Sequence, residues 1–125
     1  MEYKSIKQMG LTKNSDTCLT KLIDFDYISD KQDGARIAAI YAIKNKLYQD
    51  KNLNEGYNGP TTWNIDNVDP GGWIQEIIKF QKINKNCHST VAFKSLVNIG
   101  LEDIYEKIKD IDKSNPCLWI SKILE

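Results

Sequence analysis

The sequence predicts an all-α fold, on three observations. Apolar side chains recur at three- and four-residue spacing through most of the chain. Cap residues, twice followed by proline, punctuate those runs. Apart from residues 3–6, no stretch has the alternating apolar and polar pattern of a strand. About six helices in three antiparallel hairpins are expected, in one domain over residues 1–125 with a long loop insertion at about 50–69. Whether they stack as a superhelix or close into an irregular bundle is left open by periodicity.

Each helix has its own signal. Asn14, Ser15 or Asp16 caps the first, whose apolar positions are Leu19, Leu22, Ile23 and Tyr27. Ser29 or Asp30 opens the second, over 31–49, and Ser29 with Gln32 has the spacing of a capping box. Ile37, Ile40, Tyr41, Ile43, Leu47 and Tyr48 spread around that helix with Ala35, Ala38, Ala39 and Ala42 among them, a pattern wide enough to be buried on more than one side and to place it at the centre of the fold. Asp69-Pro70 is a cap with proline in the first turn and starts a third helix through Trp73, Ile74, Ile77, Ile78 and Phe80. Ser89 or Thr90 caps a fourth, carrying Ala92, Phe93, Leu96 and Val97, and Gly100 is expected to end it in a left-handed conformation. Leu101, Ile104, Tyr105, Ile108 and Ile111 mark a fifth. Asn115-Pro116 repeats the cap signature ahead of Leu118, Trp119, Ile120, Ile123 and Leu124, the sixth.

The stretch DGARIAAIYAIKNKL, residues 33–47, resembles the second helix of a HEAT-type repeat. Asp33, Arg36, Ala38, Ala39, Ala42, Ile43 and Leu47 carry the match. STVAFKSLVNIG, residues 89–100, is similar, setting Ala92 against Ala39, Ser95 against Ala42 and Leu96 against Ile43. The copies lie 53 residues apart, slightly more than a HEAT period, and an insertion at 50–69 accounts for the excess. The resemblance implies stacked α-hairpins closed by an atypical last repeat at 101–124.

Composition excludes several function classes. Seventeen basic residues balance seventeen acidic ones, so no global field favours a nucleic-acid backbone or an anionic membrane. No apolar run has signal-peptide or membrane-spanning length. A soluble, cytoplasmic protein is the expectation. Cys18, Cys87 and Cys117 are odd in number and form no CxxC pair, as reduced thiols would be.

Chemical motifs are sparse. Cys87-His88 contains the one histidine, hence the one candidate thiol–imidazole couple, but adjacent side chains in a loop diverge, and the plain alternative is a buried cysteine beside a surface histidine. No zinc or calcium spacing occurs, and neither metal nor cofactor is expected. Asp24 with Asp26, or Asp66 with Asp69, could serve acid–base work or simply cap helices and face water. Gly71-Gly72 ahead of a helix could cradle an anion or form a loose first turn.

The 50–69 segment is the richest region. Residues 52–78 carry four acids and no lysine or arginine, a charge of −4, whereas 79–98 carry four lysines and no acid, +4. Tyr57, Trp63 and Trp73 are interleaved with those acids, and long aperiodic segments bearing aromatics are commonly binding loops. The other reading of Trp63, and still more of Trp73, is a plug between hairpins. The expected function is therefore a non-enzymatic protein-binding module, an immunity or inhibitor protein that neutralises a basic, nuclease-type toxin through Glu55, Tyr57, Trp63, Asp66, Asp69 and Glu76. The alternative is a small enzyme or ligand-binding protein with a site beneath the same loop, using Glu55, Asp66 or His88.

Overall fold

The computed structural model describes residues 3–24, 28–53 and 62–109. Among them are five helices and one two-stranded sheet, in the order β1 (Gln8–Gly10), α1 (Lys13–Asp24), α2 (Lys31–Lys44), β2 (Thr62–Asn64), α3 (Ile65–Val68), α4 (Trp73–Phe80) and α5 (Ser89–Ile108). The mostly helical class is as expected. The sixth expected helix, at 115–124, lies outside the described residues.

Helix α5 is the axis of the molecule, and α1, α2 and α4 all pack against it. Three-quarters of its twenty residues are buried, including the polar Lys94, Ser95 and Asn98. The centre thus falls on α5 rather than on the 31–49 segment, whose helix ends at Lys44 and continues as turns through Asp50. Leu47 bonds back to the Ala42 carbonyl at 3.0 Å, and Lys46 and Asp50 take positive φ of 54° and 62°, so the chain reverses where the apolar pattern suggested another helical turn.

The expected break at Gly100 does not occur: α5 runs through it, merging the fourth and fifth expected helices. The glycine serves packing instead of termination. A Cβ there would lie 2.1 Å from the Ala38 carbonyl oxygen, so its absence lets α5 approach the backbone of α2. Ala35, Ala38, Ala39 and Ala42, all fully buried, line the α2 side of this core with equally small side chains.

Asp30, one of the two expected caps, opens α2, its Oδ1 accepting from Gln32 N at 2.6 Å. Two other caps differ from expectation. Thr12, not Asn14, Ser15 or Asp16, precedes α1, its Oγ1 accepting from Ser15 N at 3.1 Å. His88, not Ser89 or Thr90, caps α5, its Nδ1 accepting from Thr90 N at 3.1 Å.

The short sheet was illegible at the level of pattern. Residues 8–10 pair antiparallel with 62–64, setting Gln8 against Asn64, Met9 against Trp63 and Gly10 against Thr62. Three-residue strands are too short to show alternation, and tertiary hydrogen bonds hold them. Ile6 N donates to Thr90 Oγ1 at 3.0 Å and Ile65 N to the Lys7 carbonyl at 2.9 Å. Just beyond β1, the buried Asn98 accepts from Thr12 N at 2.8 Å, donates to the Lys94 carbonyl at 2.9 Å, and takes a Ser15 hydroxyl on its own carbonyl at 3.1 Å. One amide thereby fastens the entry of α1 to the middle of α5.

Candidate functional site

The segment from Thr62 to Phe80 is organised around Asp69. After β2, the single turn of α3 buries Ile65 and Val68 and leaves Asp66 exposed. Arg36 on α2 closes the end of that turn, donating from Nη1 to the carbonyls of Asn67 at 3.3 Å and Val68 at 3.1 Å while pairing with Asp33. The chain then passes Gly71 and Gly72 at φ of 76° and 71°, a left-handed pair that side-chain-bearing residues adopt only under strain.

Asp69 is fully buried. Its carboxylate accepts from Ile74 N at 3.0 Å, Gln75 N at 3.1 Å and Gln75 Nε2 at 3.2 Å. The two backbone amides are orphan donors of the first turn of α4, so Asp69 caps that helix with its side chain, but from a distance: Gly72 holds the N-cap position and Pro70 lies in a separate 3-10 turn, Pro70–Gly72, where sequence placed it in the helix's first turn. Gly72 N also donates to the Asp69 carbonyl at 2.9 Å, so the amides of Gly72, Ile74 and Gln75 are all engaged within the protein rather than open to an anion.

Helix α4 buries Ile74 and Ile78 against α5 and turns a second stripe outward. Trp73 is 48% exposed and Phe80 87% exposed. Seven residues apart, they lie on one face with Glu76 between them and the partly buried Ile77 at its edge. Glu76 is exposed and bridges to Lys79 at 2.8 Å, one turn on. Trp73, read from sequence more as a plug than as a contact, is thus about half in solvent. Trp63 is intermediate, packing partly on the core from β2.

The sequence-selected residues divide accordingly. Glu76 stands on the exposed face of α4, with Trp73 and Phe80. Asp66 lines a shallow hollow of about 540 Å³ with Asn64, Asn67, Gln75 and Lys7. Trp63 is half-buried, Asp69 is an internal cap, and Glu55 and Tyr57 lie outside the described residues. Phe80 was missed as a site residue, although PGGWIQEIIKF carries the signal: positions 74 and 78 form one face, and 73, 76 and 80 another.

The two described thiols, Cys18 and Cys87, are buried, and the histidine is engaged structurally, whereas Cys117 lies outside the described residues. Burial pushes the Cys18 thiol up to about 11, with the Glu102 carboxylate adding to the effect, and burial also raises Cys87. His88 uses Nδ1 as the cap of α5. The hollow containing Asp66 has no second carboxylate among the described residues that line it. No described helix is long and apolar enough to cross a membrane. Comparison of the chain with protein-family models, curated proteins and solved structures finds no match.

Proposed function

We propose that the chain is a protein-binding module that docks a basic protein partner on the outward face of α4, as an immunity or inhibitor protein neutralising a cationic, nuclease-type toxin would. The observation that carries this reading is the exposure of Trp73 and Phe80 on one helix face. Large aromatics in solvent are costly unless covered in the working complex, and aromatic side chains are enriched in interface cores. The −4 charge of residues 52–78 supplies the sign of the partner. Asp69 holds the start of this face in place and makes no contact in the proposed complex. Asp66 and Glu76 steer. A small enzyme using Asp66 or His88 is less well supported, because His88 is committed to a cap and Asp66 shares its hollow with Lys7 and with no second acid among the described residues.

The test separates steering from packing. Glu76→Lys and Asp66→Lys should slow association with the co-purifying partner about tenfold at low salt and much less at high salt, with dissociation unchanged. Association rates equal to wild type at both salt concentrations would remove the charged face from the interface.

A further inference from the structure

Away from α4's exposed face, the turn that follows α2 and the turn that precedes α5 enclose a groove of about 500 Å³. Among the described residues, its rim carries Lys51, Lys82 and Lys85 against a single acid, Asp50, and its lining includes Tyr48 and the buried Cys87. The volume is within the range that holds a drug-sized or nucleotide-sized ligand, about 300–1,000 Å³. None of the three lysines forms an ion pair among the described residues. Lys82 follows the C-terminus of α4, where the helix dipole favours a cation, but Lys51 and Lys85 sit at no helix C-terminus, so that effect does not account for the cluster.

A fourth cation stands on α5, outside the lining of the groove. Lys94 on α5 is only 8% exposed, and no carboxylate pairs with it among the described residues. Its charge acts on the Cys87 thiol at the groove wall, and burial lowers its own pKa. Burying an unpaired ammonium is unfavourable, and an anion arriving at the groove would offset that cost. The walls are also fixed: Ser95 Oγ donates to the Leu53 carbonyl at 2.6 Å, and Asn84 Nδ2 to the Cys87 carbonyl at 3.2 Å.

We propose that this groove binds a small, multiply charged anion of the phosphate class, held by Lys51, Lys82 and Lys85, with the buried charge of Lys94 adding to the attraction. Tyr48 offers a ring on which a base could stack, so a nucleotide and an inorganic polyphosphate are the two sources of the same chemistry.

The experiment is titration of the full chain with inorganic pyrophosphate, tripolyphosphate and ATP without metal, followed by amide chemical shifts and calorimetry. Shifts should concentrate at residues 50–53 and 82–87, and each of Lys82→Glu and Lys85→Glu should weaken binding about tenfold. ATP tighter than tripolyphosphate, with the difference lost in Tyr48→Ala, would assign the nucleotide; equal affinities would assign the inorganic anion. Lys94→Met should raise the melting temperature of the free protein yet weaken anion binding, an opposition that a purely structural lysine would not show. Shifts scattered over all surface lysines, or charge reversals that bind pyrophosphate like wild type, would overturn the proposal.

Discussion

Gly100 stands against the main chain of Ala38 so closely that a Cβ would meet the Ala38 carbonyl oxygen at 2.1 Å and its carbonyl carbon at 2.7 Å. An exposed mid-helix glycine would gain about 1 kcal/mol on replacement by alanine. Here the sign reverses, because the obstacle is backbone and cannot rotate away. Gly100→Ala should destabilise the fold by about 3 kcal/mol, read as a lower midpoint in urea at unchanged slope. A midpoint equal to wild type would mean that α2 and α5 are not in contact at this point.

Asn98 makes the complementary prediction for the polar side of α5. Asn98→Ala removes the partner of the Thr12 amide inside a buried site, and an unsatisfied buried donor costs about 1–3 kcal/mol. Hydrogen exchange at Thr12 and along α1 should accelerate more than exchange in α4. Uniform acceleration would show that the amide does not fasten α1 specifically.

Asp69 organises the candidate face from inside. Asp69→Ala frees the amides of Ile74 and Gln75 and should cost about 2 kcal/mol. Partner affinity should fall with it, through loss of order in the first turn of α4. Asp69→Asn keeps the shape and one acceptor and should retain most of both. If Asp69→Ala left stability intact while abolishing binding, the carboxylate would be a contact rather than a cap.

Cys18 predicts an alkaline limit. Its thiol ionises at about 11 in the fold and near its ordinary value of 9.0 when unfolded, so the thiolate is favoured in the unfolded chain. The stability held below pH 9 therefore declines as pH rises from 9.0 toward 11. Comparing wild type with Cys18→Ala over that interval should show a steeper decline for wild type, whereas parallel curves would place the thiol in water.

The helical class, the side-chain capping by Asp69, the buried positions Leu19 and Leu22 of α1 and the alanines of α2 were legible because each rests on local spacing, although Ile40, read as part of the α2 face, is exposed. What escaped was tertiary. Gly100 carries the same signal whether it terminates a helix or admits a neighbouring backbone, and only the position of Ala38 decides between them. His88 caps α5 although histidine is an uncommon cap, and its neighbours Ser89 and Thr90 carried the stronger local signal. Strands of three residues, Gln8–Gly10 and Thr62–Asn64, have no period to detect. In the candidate face, the run from Trp73 to Phe80 shows two apolar stripes, but sequence alone does not say which one α5 covers. The stripe with Ile74 and Ile78 is buried, and that leaves Trp73 and Phe80 outside.

The central claim, that this uncovered stripe is the partner-binding surface, is tested most directly by kinetic binding of the co-purifying basic protein to Trp73→Ala/Phe80→Ala, with Ile74→Ala and Trp63→Ala alongside. Phe80 is almost wholly in solvent and Trp73 about half so, and the double variant should therefore lose only about 1 kcal/mol of stability yet lose about 2 kcal/mol or more of affinity through faster dissociation. Ile74→Ala should lose stability by about 2–5 kcal/mol, and Trp63→Ala should lose both. A double variant that binds like wild type, or a wild-type chain that recovers no stoichiometric basic protein from its native cells, would contradict the account.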